Sequence, residues 1–181
     1  MTIRLQLHGT TALLRPDATP LALSAREAAL LAWLHLEGPT PRARLAGRLW
    51  PTGDEAKARA NLRQTLVRLK RAAGTVIAED GRGLHLDPAV TVVPADGARL
   101  LGALEFDDAP DLAAWLAQRR DAAQRDLLRE RLGAAREHLA EGDLDGALEA
   151  ADALLASDPA VEEAHRVRME VFHRRGDRAA A

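Results

Sequence analysis

The cations and planar donors between Asp54 and Gly74 are the residues of this chain best suited to chemistry. The stretch, DEAKARANLRQTLVRLKRAAG, carries apolar residues at helical spacing. These residues share one stripe: Ala58, Leu62, Leu66, Leu69 and Ala73. The opposite side carries Arg63, Gln64, Val67 and Arg71, flanked by Arg59, Asn61, Arg68 and Lys70. Cations bind phosphate and planar donors contact base edges, so the pattern predicts a helix for a DNA major groove. A solvated surface helix is the alternative on this segment alone.

Two kinds of DNA contact are expected from these side chains. Base-edge contact is predicted for Arg63, Gln64, Val67 and Arg68. Phosphate contact, which positions a protein without reading sequence, is predicted for Arg59, Lys70, Arg71 and, from a later turn, Arg82.

Other chemistries lack a matching set of residues. The chain has no cysteine, and its only serines, Ser24 and Ser157, lie at a helix start and in a turn. The histidines form neither HExxH nor another close ligand spacing. Gly81-Arg82-Gly83 lacks the rest of a phosphate-binding loop. We therefore predict no enzyme, no catalytic residue, no metal site and no cofactor.

The residues before the basic stretch predict a small antiparallel sheet followed by two helices. Strands are expected around residues 3–7, 12–14 and 21–23, from alternation and flanking turn residues. Ser24 and Glu27 have the spacing of a capping box, which begins a helix that Gly38-Pro39 ends after Glu37.

The second predicted helix is short. Thr40 is expected to cap it, Pro41 to occupy its first position, and Trp50-Pro51 to end it. Thr52 and Glu55 repeat the capping-box spacing before the basic helix.

A hairpin is predicted after the basic helix, which Gly74 ends. The β-prone runs 75–78 and 84–86 flank the turn dipeptide Asp80-Gly81, with Arg82 at the tip. The order sheet, helix, helix, basic helix, hairpin is that of a winged helix-turn-helix, assigned to residues 1–93. Helix 54–73 would enter the major groove, and the 75–86 wing would contact the minor groove or the backbone. Winged helices that bind only proteins remain an alternative.

Charge divides the chain in the same way. Residues 1–95 carry a net charge of +5 and residues 96–181 a net charge of −7. A basic half joined to an acidic half is typical of a nucleic-acid module attached to a domain that avoids nucleic acid. The sequence shows neither a signal peptide nor a membrane span, so we predict a cytoplasmic protein without membrane contact.

The second half predicts helices with an internal repeat. An extended segment is expected at 90–93, a short helix at 98–104, and continuous helices from Asp111 onward. Gly142-Asp143 recurs 34 residues later as Gly176-Asp177, Ala147 recurs as Ala181, and Pro159 ends a helix. This period is that of a tetratricopeptide (TPR) repeat, although a generic helical hairpin is the alternative.

Two motifs resemble a known family. LAGRLWP at 45–51 and NLRQTLVRLKR at 61–71 resemble the DNA-binding domain of SARP-type regulators, which are antibiotic-regulatory transcriptional activators with an OmpR-like winged helix. Residues 94–181 resemble the TPR-like bacterial transcriptional activator domain of that family. The family usually continues through further helices, so this domain is expected to be incomplete at its C-terminus. The resemblance implies a direct-repeat operator and a turn that faces RNA polymerase, formed by Trp50, Pro51, Thr52, Gly53 and Asp54.

The sequence thus predicts a mixed fold and a sequence-specific, double-stranded-DNA-binding transcriptional regulator, an activator by resemblance. The helical domain is a candidate for binding a protein partner or for self-association. Two alternatives remain open. One is a protein-interaction adaptor that acts through the TPR-like half, and the other is a fragment of a larger ligand-sensing regulator.

Overall fold

A computed structural model of the chain describes residues 2–17, 19–51, 53–95 and 97–177. Small sheets and short helices come first, and a helical half follows, which confirms the mixed fold. The chain divides into two compact units, Met1–Arg120 and Asp121–Ala181. The first unit contains β1 (Ile3–Gln6), β2 (Ala12–Leu14), β3 (Pro20–Ala22), α1 (Ala25–Glu37), α2 (Arg42–Leu49), α3 (Glu55–Ala73), β4 (Ile77–Asp80), β5 (Gly83–Leu86) and β6 (Val90–Val92). Helix α4 (Pro110–Glu141) begins in the first unit and ends in the second, where α5 (Leu144–Ser157) and α6 (Glu162–Arg175) follow.

The opening sheet has one strand more than the sequence predicts. Strands β1, β2 and β3 pair antiparallel as expected, with Leu5 opposite Leu13. Strand β6 adds to the other edge of β1 in parallel, with Leu5 aligned with Val92. The sequence predicts an extended segment at 90–93 but not its pairing with β1. That pairing depends on how the chain folds back after α1, α2 and α3.

Helix α1 is the central element of the first core. Its capping box forms as predicted: the Ser24 side chain accepts from the Glu27 N–H, and the Glu27 carboxylate accepts from the Ser24 N–H at 2.8 Å. Eight consecutive residues, 27–34, are buried. A helix buried on every side must be covered by other elements all round, which explains its nearly continuous apolar sequence.

The predicted cap of α2 is wrong. Thr40 does not cap this helix, because its backbone pairs with Leu84 of β5 in both directions, at 2.8 and 2.9 Å. Its hydroxyl accepts from the Trp33 indole at 3.1 Å and donates to the Gly38 carbonyl at 3.0 Å. Pro41 therefore stands at the N-cap position without a side-chain cap, and the helix begins at Arg42.

Helix α3 has the predicted extent and buried stripe. Asp54 caps its start by accepting from the Ala56 N–H at 2.7 Å. The N-cap position is therefore Asp54, and the predicted capping box, with Thr52 as the N-cap and Glu55 three residues later, is wrong. Thr52 itself lies outside the described residues. Gly74 ends the helix as predicted, with a φ of 76°. The buried residues are Ala58, Leu62, Thr65 and Leu69, with Leu66 and Ala73 partly buried beside them.

The hairpin forms over a slightly different range. Strand β4 begins at Ile77 rather than at residue 75, and Arg82 lies in the turn as predicted.

Residues 98–104 do not form the predicted short helix. The Leu101 N–H donates to the Leu7 carbonyl at 2.7 Å, and the Gly9 N–H donates to the Arg99 carbonyl at 3.0 Å. Within the segment only turn-type bonds form, from Gly102 N–H to the Arg99 carbonyl and from Leu104 N–H to the Leu101 carbonyl, and Leu101 takes a φ of 54°.

The boundary between the units also differs from the predicted one after residue 93. The connector and the first turns of α4 lie in the first core, through Leu100, Leu101, Phe106, Leu112 and Leu116. Trp115 packs against Trp33 with ring centroids 4.8 Å apart, and its indole donates to Glu37 at 2.5 Å. These contacts make residues 94–120 part of the first unit.

The second unit is built on small residues where its helices meet. Ala135, Ala147 and Ala151 are fully buried beside Val167 and Val171. The 34-residue period corresponds to helix ends: α4 stops before Gly142-Asp143 and α6 before Gly176-Asp177. The glycines have φ values of 81° and 76°, which favour glycine. Ala181 lies outside the described residues.

Within the described ranges, every helix is too short or too polar to cross a membrane.

Candidate nucleic-acid interface

The solvent side of α3 brings the predicted base-contacting residues together. Arg63, Gln64, Val67 and Arg68 are all exposed, and with Arg71 and Ala72 they line one shallow depression. Val67 is 44% exposed, which is unusual for a large apolar residue in this chain. An apolar side chain among planar donors suits contact with a thymine methyl group.

Three of the α3 cations that the sequence assigns to DNA contact have no nearby counter-charge among the described residues. In the part of the chain that the structure describes, no carboxylate lies within 4 Å of Arg63, Lys70 or Arg71. All three side chains are exposed. Lys70 and Arg71 lie in the last turn, where the helix dipole favours positive charge. Their charge is available to a polyanion.

Two predicted phosphate contacts are paired with carboxylates. Arg59 bonds to Glu55 one turn earlier, and both side chains are well exposed. Arg82 donates to Asp80 through its guanidinium at 3.0 and 3.3 Å and through its backbone N–H at 2.8 Å. The backbone and side-chain bonds from Arg82 lower the pKa of Asp80. Exposed pairs are weak, so both arginines can exchange their partner for a phosphate.

Arg68 is held in a different way. Its Nε donates to Glu27 Oε1 at 2.7 Å, and the two residues are 41 positions apart. The Glu27 side chain is only 9% exposed, whereas that of Arg68 is 60% exposed. Burial raises the pKa of Glu27, but bonds from Ser24 and Arg68 outweigh it and hold the pKa below the ordinary value. The sequence predicted Glu27 as a helix-capping residue only.

Further residues join this surface that the sequence did not single out. Arg15, exposed between β2 and β3, donates to the Ala72 carbonyl at 3.0 Å and adds a cation at the C-terminal end of α3. Ser24 and Trp50 line a second depression with Asn61, Gln64 and Arg68. No local pattern marks Arg15, because its place depends on packing of the sheet beside α3.

The hairpin is fastened to the start of α2. Besides the Thr40–Leu84 pairing, Arg42 makes two bonds to Glu79, at 2.6 and 2.7 Å, which lower the pKa of that carboxyl. Gly83 has a φ of 126°, and a Cβ there would lie 2.4 Å from the Thr40 carbonyl carbon. Only glycine permits this approach, so the tip that carries Arg82 is held near the helices.

The described residues of the turn between α2 and α3 are exposed except for the first. Trp50 is partly buried against the core, while Pro51, Gly53 and Asp54 are exposed. Thr52 lies outside the described residues. A contact with RNA polymerase at this turn stays a prediction.

The described ranges contain no group of three or more histidine, aspartate or glutamate residues that could hold a metal ion.

Comparison with known proteins leaves the family resemblance a prediction: no family model matches this chain, and no curated protein matches it significantly.

Proposed function

We propose that this protein is a sequence-specific DNA-binding transcriptional regulator. The observation that carries the proposal is the exposed side of α3, where Arg63, Lys70 and Arg71 lack a carboxylate partner among the described residues. Uncompensated cations beside planar donors supply both phosphate attraction and base-edge contact.

The neighbouring elements support a winged helix-turn-helix. Helices α2 and α3 would form the helix-turn-helix pair, and α3 would enter the major groove. The β4–β5 hairpin would be the wing, with Arg82 placed to meet the backbone or the minor groove.

The second unit is proposed as a TPR-like module for a protein partner or for self-association. Its support is the common position of Gly142 and Gly176, each directly after a helix, 34 residues apart. The resemblance to SARP-type activators extends the proposal to transcriptional activation, with the turn from Trp50 to Asp54 directed at RNA polymerase.

Salt dependence of duplex binding tests the proposal. The full chain is titrated into a labelled random duplex over a series of salt concentrations. We expect affinity to fall steeply with salt, because bound cations release counterions from DNA. Selection from a random duplex pool should then enrich a short, directly repeated motif. Binding without salt dependence, or no enrichment, would contradict the proposal.

A protein-interaction adaptor is the second candidate. Met169 on α6 is 54% exposed, a large apolar side chain open to a partner. This candidate predicts that the full chain binds no duplex at low salt, where electrostatic attraction is strongest.

A further inference from the structure

We infer that Glu27 is a positioning residue, which holds the Arg68 guanidinium in the orientation that reads a base edge. The inference rests on the proposed DNA-binding function and assigns a second role to the cap of α1. It separates Arg68 from the other cations of α3, none of which is held by a buried carboxylate among the described residues.

The Glu27 carboxylate is fixed on both oxygens. Oε2 accepts from the Ser24 N–H at 2.8 Å and from the Ser24 hydroxyl at 2.7 Å. Oε1 accepts from Arg68 Nε at 2.7 Å. Glu27 also lies in the first turn of the buried helix α1, so its backbone cannot move without the core. A carboxylate pinned in this way is a rigid acceptor.

The geometry leaves the outer donors of Arg68 available. Nε is taken by Glu27, and one terminal nitrogen makes only a long contact of 3.5 Å to the Ser24 hydroxyl. The side chain is 60% exposed, and it borders both depressions beside α3. Two parallel N–H groups of a guanidinium match the O6 and N7 acceptors of guanine.

Holding the guanidinium before binding favours a specific contact. An arginine side chain without a partner loses conformational entropy when DNA fixes it. An arginine that a carboxylate already holds has lost much of that entropy before binding. Among the described cations of α3, Arg68 alone is held by a buried carboxylate; the partner of Arg59, Glu55, is exposed.

The same carboxylate weakens attraction to phosphate, because its charge offsets that of Arg68. Removing the Glu27 charge should therefore keep or raise affinity for a scrambled duplex while it lowers the ratio of selected-duplex affinity to scrambled-duplex affinity. A residue that only stabilised the fold would lower both affinities by a similar factor and leave their ratio unchanged. This difference separates positioning from a structural role.

A double-mutant cycle on the full chain tests the inference. Affinity is measured for a duplex selected from a random pool and for its scrambled counterpart, with Glu27→Gln, Arg68→Ala and the double variant. For Arg68→Ala we expect the affinity ratio of the two duplexes to fall about tenfold. Glu27→Gln should lower the ratio severalfold while scrambled-duplex affinity is kept or raised. The double variant should match Arg68→Ala, since Glu27 acts through Arg68.

Arg68→Lys provides a second variant in case Glu27→Gln fails to fold. Lysine keeps the charge but has no Nε group for Glu27, so the ratio should fall while scrambled-duplex affinity is retained. Arg63→Lys is the matched control, because Arg63 lies on the same face of α3 without a carboxylate partner among the described residues. It should change the ratio of the two duplex affinities less.

Two results would overturn the inference. One is that Glu27→Gln lowers the affinity ratio of the two duplexes as much in the Arg68→Ala variant as in the wild type. The other is that Arg68→Lys leaves this ratio unchanged. A wild-type chain that binds both duplexes equally would instead refute the proposed function, and the inference with it. The wild-type measurement therefore separates the two failures.

Discussion

Helices α3 and α6 are both rich in arginine, but they differ in what surrounds the arginines. Each of the four arginines on α6 lies within 4 Å of a carboxylate. These pairs are Arg166–Glu162, Arg168–Asp152, Arg174–Glu170 and Arg175–Asp145. On α3, Arg63, Lys70 and Arg71 have no such partner in the described ranges. The abundance of arginine therefore predicts nothing by itself.

The difference arises from where acidic residues fall. Helix α6 carries its own glutamates one turn before two of its arginines, and α5 supplies two aspartates. Helix α3 has one acidic residue, Glu55, in its first turn. A polyanion thus meets an uncompensated surface on α3 and a self-paired one on α6, and only the first should bind DNA.

The largest expected effect comes from the buried side of α3. Leu62 is 2% exposed in the core, so Leu62→Ala should lower the free energy of unfolding by about 2–5 kcal/mol. Val167→Ala, on the buried side of α6, removes fewer carbon atoms and should cost less. Urea unfolding followed by circular dichroism measures both. A loss below about 1 kcal/mol for Leu62→Ala would show that α3 is not packed as described.

The next effect concerns the unpaired cations. Lys70→Ala/Arg71→Ala should reduce the slope of log affinity against log salt by about 2, because each substitution would remove one of the proposed phosphate contacts. Arg166→Ala/Arg168→Ala on α6 is the matched control and should leave duplex binding unchanged. Equal losses in the two double variants would erase the distinction between the helices.

A smaller effect is expected at the hairpin tip, where Arg82 is paired with Asp80. Asp80→Asn removes the counter-charge and should raise affinity for random duplex by about twofold at low salt. Arg82→Ala should lower it by a similar factor. Filter binding or fluorescence anisotropy at two salt concentrations measures both changes. A decrease in affinity for Asp80→Asn would mean that the pair organises the tip for binding.

The smallest effect is a pH dependence of stability through Glu27. Its folded pKa lies below the ordinary value of 4.5, because bonds from Ser24 and Arg68 outweigh burial. The stabilisation is therefore present above pH 4.5 and is lost as the pH falls through the lowered folded value. Thermal unfolding between pH 6 and about 3 should show a shallower decline for Glu27→Gln than for the wild type. Parallel curves would count against the ionised pair.

Local patterns predicted the elements of the first unit well. The capping box at Ser24, the stripe of α3 and the hairpin turn all depend on residues a few positions apart, and such signals can be read from the chain. Two of the misassigned segments have distant partners. Thr40 pairs with β5 instead of capping α2, and residues 98–104 bond to the segment after β1.

By itself the sequence determined that an amphipathic helix spans residues 54–73 with cations on its outer side, because helical periodicity is local. Tertiary structure alone decided which of these cations have a carboxylate partner and which one is held by a buried carboxylate. Glu27 meets Arg68 across 41 positions, Arg15 reaches the end of α3, and Arg63 meets no carboxylate in the described ranges. Electrostatic pairing depends on distances of a few ångströms, and folding, not spacing along the chain, sets those distances.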